Sequence, residues 1–127
     1  MTADVQLLVA AFGQVLDEFE RAGREIFGSR VERNVPRITA ELFPGVGSFS
    51  ERVESVSGAV SVLSVIRQCV AKSTPLGKRA LRRAAREIVR EFYQDHQKLL
   101  YRCGVENEVR DCYRILAGER PGAAGAL

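Results

Sequence analysis

Val5, Leu8, Val9, Phe12, Val15, Leu16, Phe19, Ala22 and Ile26 recur at three- and four-residue spacing along the start of the chain. That is the period of a helix with one buried stripe, and Gly28 follows where a left-handed cap is usual. The pattern predicts a first helix over about residues 4 to 27. Ser29 can cap a second, in which Val31, Val35, Ile38 and Leu42 keep the period, while Pro36 removes an amide donor and predicts a bend. Pro44-Gly45-Val46-Gly47 stops it, and Ser48-Phe49-Ser50-Glu51 offers a Ser-x-x-Glu capping box for a third.

The third helix, over about residues 49 to 71, competes with a strand reading, because Val60-Ser61-Val62 alternates and β-branched residues are frequent from Val53 to Val70. Val53, Val56, Val60 and Leu63 hold helical spacing, and no second strand candidate exists to pair with, so helix is preferred. Thr74 before Pro75 is a good cap pair for a fourth helix, whose stripe is Leu81, Ala85, Ile88, Phe92, Leu99 and Cys103, closed by Gly104. At 1.5 Å per residue it would run about 42 Å, longer than a small bundle requires. Val105, Val109, Cys112 and Leu116 predict a short fifth helix ended by Gly118. The reading is an all-α chain of about five helices with a kinked second and a long fourth. One helical domain spans residues 1 to 118, as an N-terminal helical arm (1 to 47) and a C-terminal bundle (48 to 118), before a flexible tail (119 to 127). The apolar stripes of the first and fourth helices exceed what such a fold covers alone, which predicts self-association.

A chain of 127 residues that is 46% hydrophobic can build one core. Cys69, Cys103 and Cys112 are odd in number and far apart, so neither a disulfide framework nor a zinc site is suggested, and an intracellular setting is expected. Asp4, Gln14, Asp17 and Glu18 break the first apolar stretch, which excludes a signal peptide or a membrane span there. With one histidine and no clustered ligands, no metal, cofactor or small-molecule substrate is called for, and an enzyme is disfavoured. His96 borders the fourth stripe and reads as a packed residue. Tyr93, Tyr101 and Tyr113 read as core edges, and the cysteines as small buried apolar groups. Pro75 and Gly77 argue against a helix-turn-helix in that region.

Charge changes the picture. The net charge is +3, but residues 1 to 71 carry seven basic and nine acidic side chains, while 72 to 127 carry twelve and seven. On a helical wheel Lys78, Arg79, Arg82, Arg83, Arg86 and Arg90 share one arc, and Glu87, Glu91 and Asp95 share another. A helix that only needs solubility interleaves its signs, so this sorting points to a polyanion. Arg21, Arg24, Arg30, Arg33 and Arg37 form a second basic group, opposed between residues 21 and 37 only by Glu25 and Glu32. Arginine suits bidentate phosphate contacts. The plainer alternative is a solvated arginine-rich surface with no ligand.

Asn34-Val35-Pro36-Arg37-Ile38-Thr39, followed by the Val/Ser-rich helix, resembles the central segment of rod-shaped archaeal virus coat proteins. The end is similar too: Phe92, Tyr93 and Tyr101 on a long helix, then Gly104, Glu108-Val109-Arg110-Asp111, Ile115-Leu116, Gly118 and Pro121-Gly122. The resemblance implies a major capsid protein of filamentous archaeal viruses. Such a helical subunit dimerises, with itself or with a paralogous coat subunit, and wraps double-stranded DNA in A-form inside a helical virion assembled in the host cytoplasm. The chain departs from the rod-shaped group at its start, where an amphipathic helix replaces a basic, aromatic arm. The implied mechanism uses backbone contacts by both basic groups without base readout. The alternative is a non-catalytic cytoplasmic adaptor whose basic face meets an acidic protein.

Overall fold

A computed structural model of the chain describes residues 3–28, 55–73 and 75–118. Among these residues there are five helices and no strand: α1 Ala3–Phe27, α2 Val56–Ala71, α3 Pro75–Asp95, α4 Gln97–Arg102 and α5 Glu106–Leu116. The all-α reading holds. The bent helix around Pro36, the capping box at Ser48 to Glu51, the Thr74 cap and the tail after Gly118 lie outside the described residues.

The contested Val60-Ser61-Val62 stretch is helical, and the Ser61 hydroxyl donates to the Ser57 carbonyl at 3.1 Å, satisfying itself within its own helix. The helix starts later than the capping-box pattern predicts. Ser55 is extended (φ −149, ψ 166), and its side chain accepts the Gly58 N–H at 3.2 Å. One hydroxyl aimed at the first turn is enough to cap a helix, without the reciprocal glutamate.

The fourth predicted helix is also corrected. It is broken at His96 (φ −123, ψ 23) into α3 and α4, so there is no single straight 28-residue rod from Pro75 to Arg102. The chain nearly continues, since the His96 N–H reaches the Phe92 carbonyl at 3.0 Å and the Leu100 N–H reaches the His96 carbonyl at 2.9 Å. Gly104 then ends α4 at φ +73, a left-handed conformation that costs other L-residues about 1–2 kcal/mol. Gly28 and Gly118, the other two predicted stops, also have positive φ.

Asp4 pairs with Arg102 at 3.3 Å, and Phe12 meets Phe92 with ring centroids 4.7 Å apart, so α1 runs antiparallel to the α3–α4 segment. The short turn after α2 makes α2 antiparallel to α3, and the contacts of Tyr93 with Glu106 and Arg110 do the same for α5. Both α1 and α5 pack on α2 and on α3, which gives a four-helix bundle with α1 and α5 at opposite corners.

Every element contributes a stripe to one core. Leu8, Phe12, Val15 and Phe19 come from α1, Leu81, Ala85, Val89 and Phe92 from α3, and Val109, Cys112 and Leu116 from α5. α2 buries seven of its sixteen residues, on a face too wide for one partner. The stripes that predicted self-association are therefore covered within the chain. Among the described residues, Leu7 and Tyr101 are the exposed large apolar side chains. No described helix is long and apolar enough to cross a membrane.

Phe12 is fully buried against Phe92, so Phe12→Ala is expected to cost about 3–5 kcal/mol in urea denaturation. Leu7→Ala, at an exposed position on the same helix, should stay within about 0.5 kcal/mol.

Candidate nucleic-acid interface

The wheel position of each α3 side chain follows from what the helix buries. With Leu81, Ala85, Val89 and Phe92 inward, Lys78 and Arg82 fall on the flank toward α5, Arg79 and Arg83 point outward, and Glu91 and Asp95 fall toward α1. Arg79, Arg82 and Arg83 are exposed, and no described carboxylate pairs with them. Lys78 is half-buried, and its ammonium donates to the Ala71 carbonyl at 3.4 Å.

The remaining arginines of the predicted arc behave differently. Glu87 sits within reach of both its neighbours, with Arg86 Nε at 3.6 Å and a short hydrogen bond from Arg90. The acidic arc is thus not wholly separate from the basic one, because a residue three positions before Arg90 is its neighbour on the helix surface. The Arg90 Nε is buried without an acceptor, so part of this guanidinium faces the protein and not solvent. Glu91 and Asp95 join Gln14, Glu18 and His96 around a small hollow of about 90 Å³ between α1 and α3, so that edge of the bundle is acidic.

Arg21 and Arg24 are exposed near the C-terminal end of α1, with Arg24 4.0 Å from Glu20. Antiparallel packing places them at the same end of the bundle as Lys78 to Arg83. They belong, however, to the helix on the acidic side of α3, and neither lines the recess that Lys78 and Arg82 share. Arg30, Arg33 and Arg37 lie outside the described residues.

Instead the structure adds a cation that the sequence reading passed over. Arg67 is exposed on α2 and lines a recess with Lys78 and Arg82. The available signal was local: the positions three and four residues to either side of Arg67 are Leu63, Ser64, Val70 and Ala71, none of which can neutralise it. Arg110, by contrast, is occupied. It donates to the Tyr93 hydroxyl at 2.7 Å and to Glu106 at 2.9 Å, and these contacts, the tyrosine bond foremost, raise its pKa further. Tyr93 in turn donates to Glu106 at 2.7 Å, which ties α3 to α5.

His96 is a packed residue, as its position on the stripe implies. Its ring stands on Phe92 with centroids 4.9 Å apart, and Nδ1 lies 3.2 Å from the Phe92 carbonyl oxygen. Tyr93 is buried and Tyr113 packs against the core, but Tyr101 is 75% exposed, which corrects its reading as a core edge. The three cysteines are free, with Cys69 and Cys112 buried and Cys103 half-buried. Among the described residues no group of His, Cys, Asp or Glu is placed to hold a metal ion.

α3 also differs from its neighbours in how charge meets the helix dipole. α1 opens with Asp4 and closes with Arg24, and α5 opens with Glu106 and Glu108 and closes with Arg114, each matching its macrodipole. α3 has no acidic residue in its first turn and no basic one in its last, and its uncompensated cations crowd the positive end.

Burial pushes the Cys112 thiol up to about 12, while the Cys103 thiol is raised by partial burial and then by Asp4. A thiol with a raised folded-state pKa contributes stability that is complete below its ordinary value and is lost as the pH climbs through the folded one. The native chain is therefore expected to weaken between about pH 9 and pH 12, and Cys112→Ala should flatten that part of a stability-against-pH curve measured by denaturation. No family model, curated protein or solved structure matches the chain.

Proposed function

We propose that the chain is a non-catalytic structural subunit that binds the backbone of double-stranded DNA without reading its sequence, as a coat protein does in a helical filament. The observation that carries this reading is the set Arg79, Arg82 and Arg83, exposed on one helix without a described carboxylate partner. From Arg79 to Arg83 the helix rises about 6 Å, comparable to roughly two 3.4 Å axial steps of one DNA strand. Guanidinium forks spaced this way reach phosphates of one strand, and such contacts carry no information about bases. The coat role itself rests on the resemblance of the segments around Pro36 and Gly104.

Assembly into a filament needs subunit contacts away from the DNA. Leu7 and Tyr101 are 56% and 75% exposed, near the end of the bundle where Asp4 meets Arg102, opposite the Lys78 to Arg83 end. That end suits a contact with a second copy or with a paralogous subunit. Changing both Leu7 and Tyr101 to Glu is expected to turn an associating species into a monomer in sedimentation. The same change should leave helical circular dichroism intact, since both side chains are already in water.

The DNA reading is tested by affinity for duplexes of unrelated sequence over a range of salt. Affinity should not depend on sequence, and changing Arg79, Arg82 and Arg83 together to Gln should lower the salt slope by about 2–3, at about 0.9 per phosphate neutralised. Gln keeps helix propensity close to that of Arg, so folding is not confounded. Changing Arg86 and Arg90 to Gln should move the slope less, because Glu87 already holds both. Absence of duplex binding at low salt would overturn the proposal and leave an acidic protein as the partner of this face.

A further inference from the structure

We propose that the recess between α2, α3 and α5 is a binding site for a small phosphate monoester that carries an apolar body. The recess has a volume of about 420 Å³, within the roughly 300–1,000 Å³ range of small-molecule sites. Arg67 of α2 and Lys78 and Arg82 of α3 line it, and among the described residues no carboxylate does. Lys78 is held at the rim by its bond to the Ala71 carbonyl. Arg82 has no acidic residue within four positions on its helix, and Arg67, which also borders an adjoining hollow with Glu108 and Asp111, forms no ion pair with either of these described carboxylates. Three cations facing one space repel each other, and an anion of charge two placed among them relieves that repulsion. Two of the three are guanidinium groups, whose paired N–H donors match phosphate oxygens.

The rest of the lining decides what the phosphate is attached to. Val70, Ile115 and Leu116 supply apolar surface, and Ser64 and Gln68 supply neutral polar groups. Inorganic phosphate would leave the apolar part wet, whereas a monoester with a planar or aliphatic body covers it. A duplex is a poor occupant of the recess itself: its phosphodiesters carry one charge each and lie on a convex rod, so a terminal dianion fits better. This inference shares Arg82 with the DNA reading, and it is separable from it through Arg67 and the recess, which the outward contacts of Arg79 and Arg83 do not use. A nucleotide and an alkyl phosphate share the chemistry required.

The test is a calorimetric titration of the full chain with AMP, hexyl phosphate and inorganic phosphate at one ionic strength. At least one of the two monoesters should bind about tenfold or more tightly than inorganic phosphate, and Arg67→Gln should weaken it by about tenfold or more with circular dichroism unchanged. Preference for AMP assigns a planar body, and preference for hexyl phosphate an aliphatic one. Equal affinity for all three probes, no saturation by any, or an unchanged Arg67→Gln variant overturns the proposal. If Arg67→Gln lowers duplex affinity while neither monoester binds, the recess belongs to the DNA face and the proposal is again overturned. Monoester binding without duplex binding supports it and removes only the DNA reading.

Discussion

The organising constraint is the breadth of apolar surface on α2. Ala59, Val62, Leu63, Val65, Ile66, Cys69 and Val70 are all buried, and at about 100° per residue they span an arc of about 160°. One partner helix covers a stripe of about 100°, so α2 needs several. α1, α3 and α5 supply them, and each then has its own apolar stripe committed to the interior. Their polar faces have no choice of direction. The basic flank of α3 is set beside α5 and its acidic flank beside α1 because the burial of Leu81, Ala85 and Val89 fixes the rotation of the helix.

That rotation also explains which arginines are open. Arg86 and Arg90 share a helix surface with Glu87, one residue and three residues away, and their guanidinium groups turn to it. Arg82 has no acidic residue within four positions on either side, and Glu87 lies four beyond Arg83 but is already shared by Arg86 and Arg90. Arg110 lies on the helix beside the basic flank, yet Tyr93 and Glu106 draw it into the bundle as a clasp between α3 and α5. Among the described residues the open basic face of α3 is therefore smaller than the count of its arginines, and lies toward one end of the helix.

What the sequence made legible was whatever depends on local period. The inward positions of α1 and α5, and the glycine stops at Gly28, Gly104 and Gly118, follow from spacing and backbone freedom alone. The break at His96 was not legible. Neither Gly nor Pro marks it, and it coincides with contacts to distant residues, with Arg102 meeting Asp4 and Leu99 and Leu100 both buried. The start of α2 was misplaced because the Ser-x-x-Glu pattern at Ser48 to Glu51 drew the helix forward, whereas its cap is Ser55, which no such pattern marks. Arg67 was missed for a related reason. It is a lone cation on an apolar helix, and its partners at the recess come from eleven and fifteen residues further on, beyond the turn.

The strongest physical reason to look for an anion at this end is that α3 is less stable for having these cations there. Lys78 with Arg82, and Arg79 with Arg83, are like charges four residues apart, each such pair costing a helix about 0.2–0.5 kcal/mol. They also sit in the N-terminal half of the helix, where the dipole favours the opposite sign by about 0.3–1 kcal/mol near the first turn. α1 and α5 avoid the dipole cost with Asp4, Glu106 and Glu108 at their starts, so nothing in the bundle architecture forbids the better arrangement. Repulsion among exposed charges within a Debye length of about 8 Å is only partly screened at physiological salt. A bound phosphate reverses each of these terms at once: it neutralises the cation ladder and places negative charge near the positive end of the helix. The arrangement that weakens the free chain is the one that strengthens an anionic complex, and α3 is the helix on which the two requirements diverge.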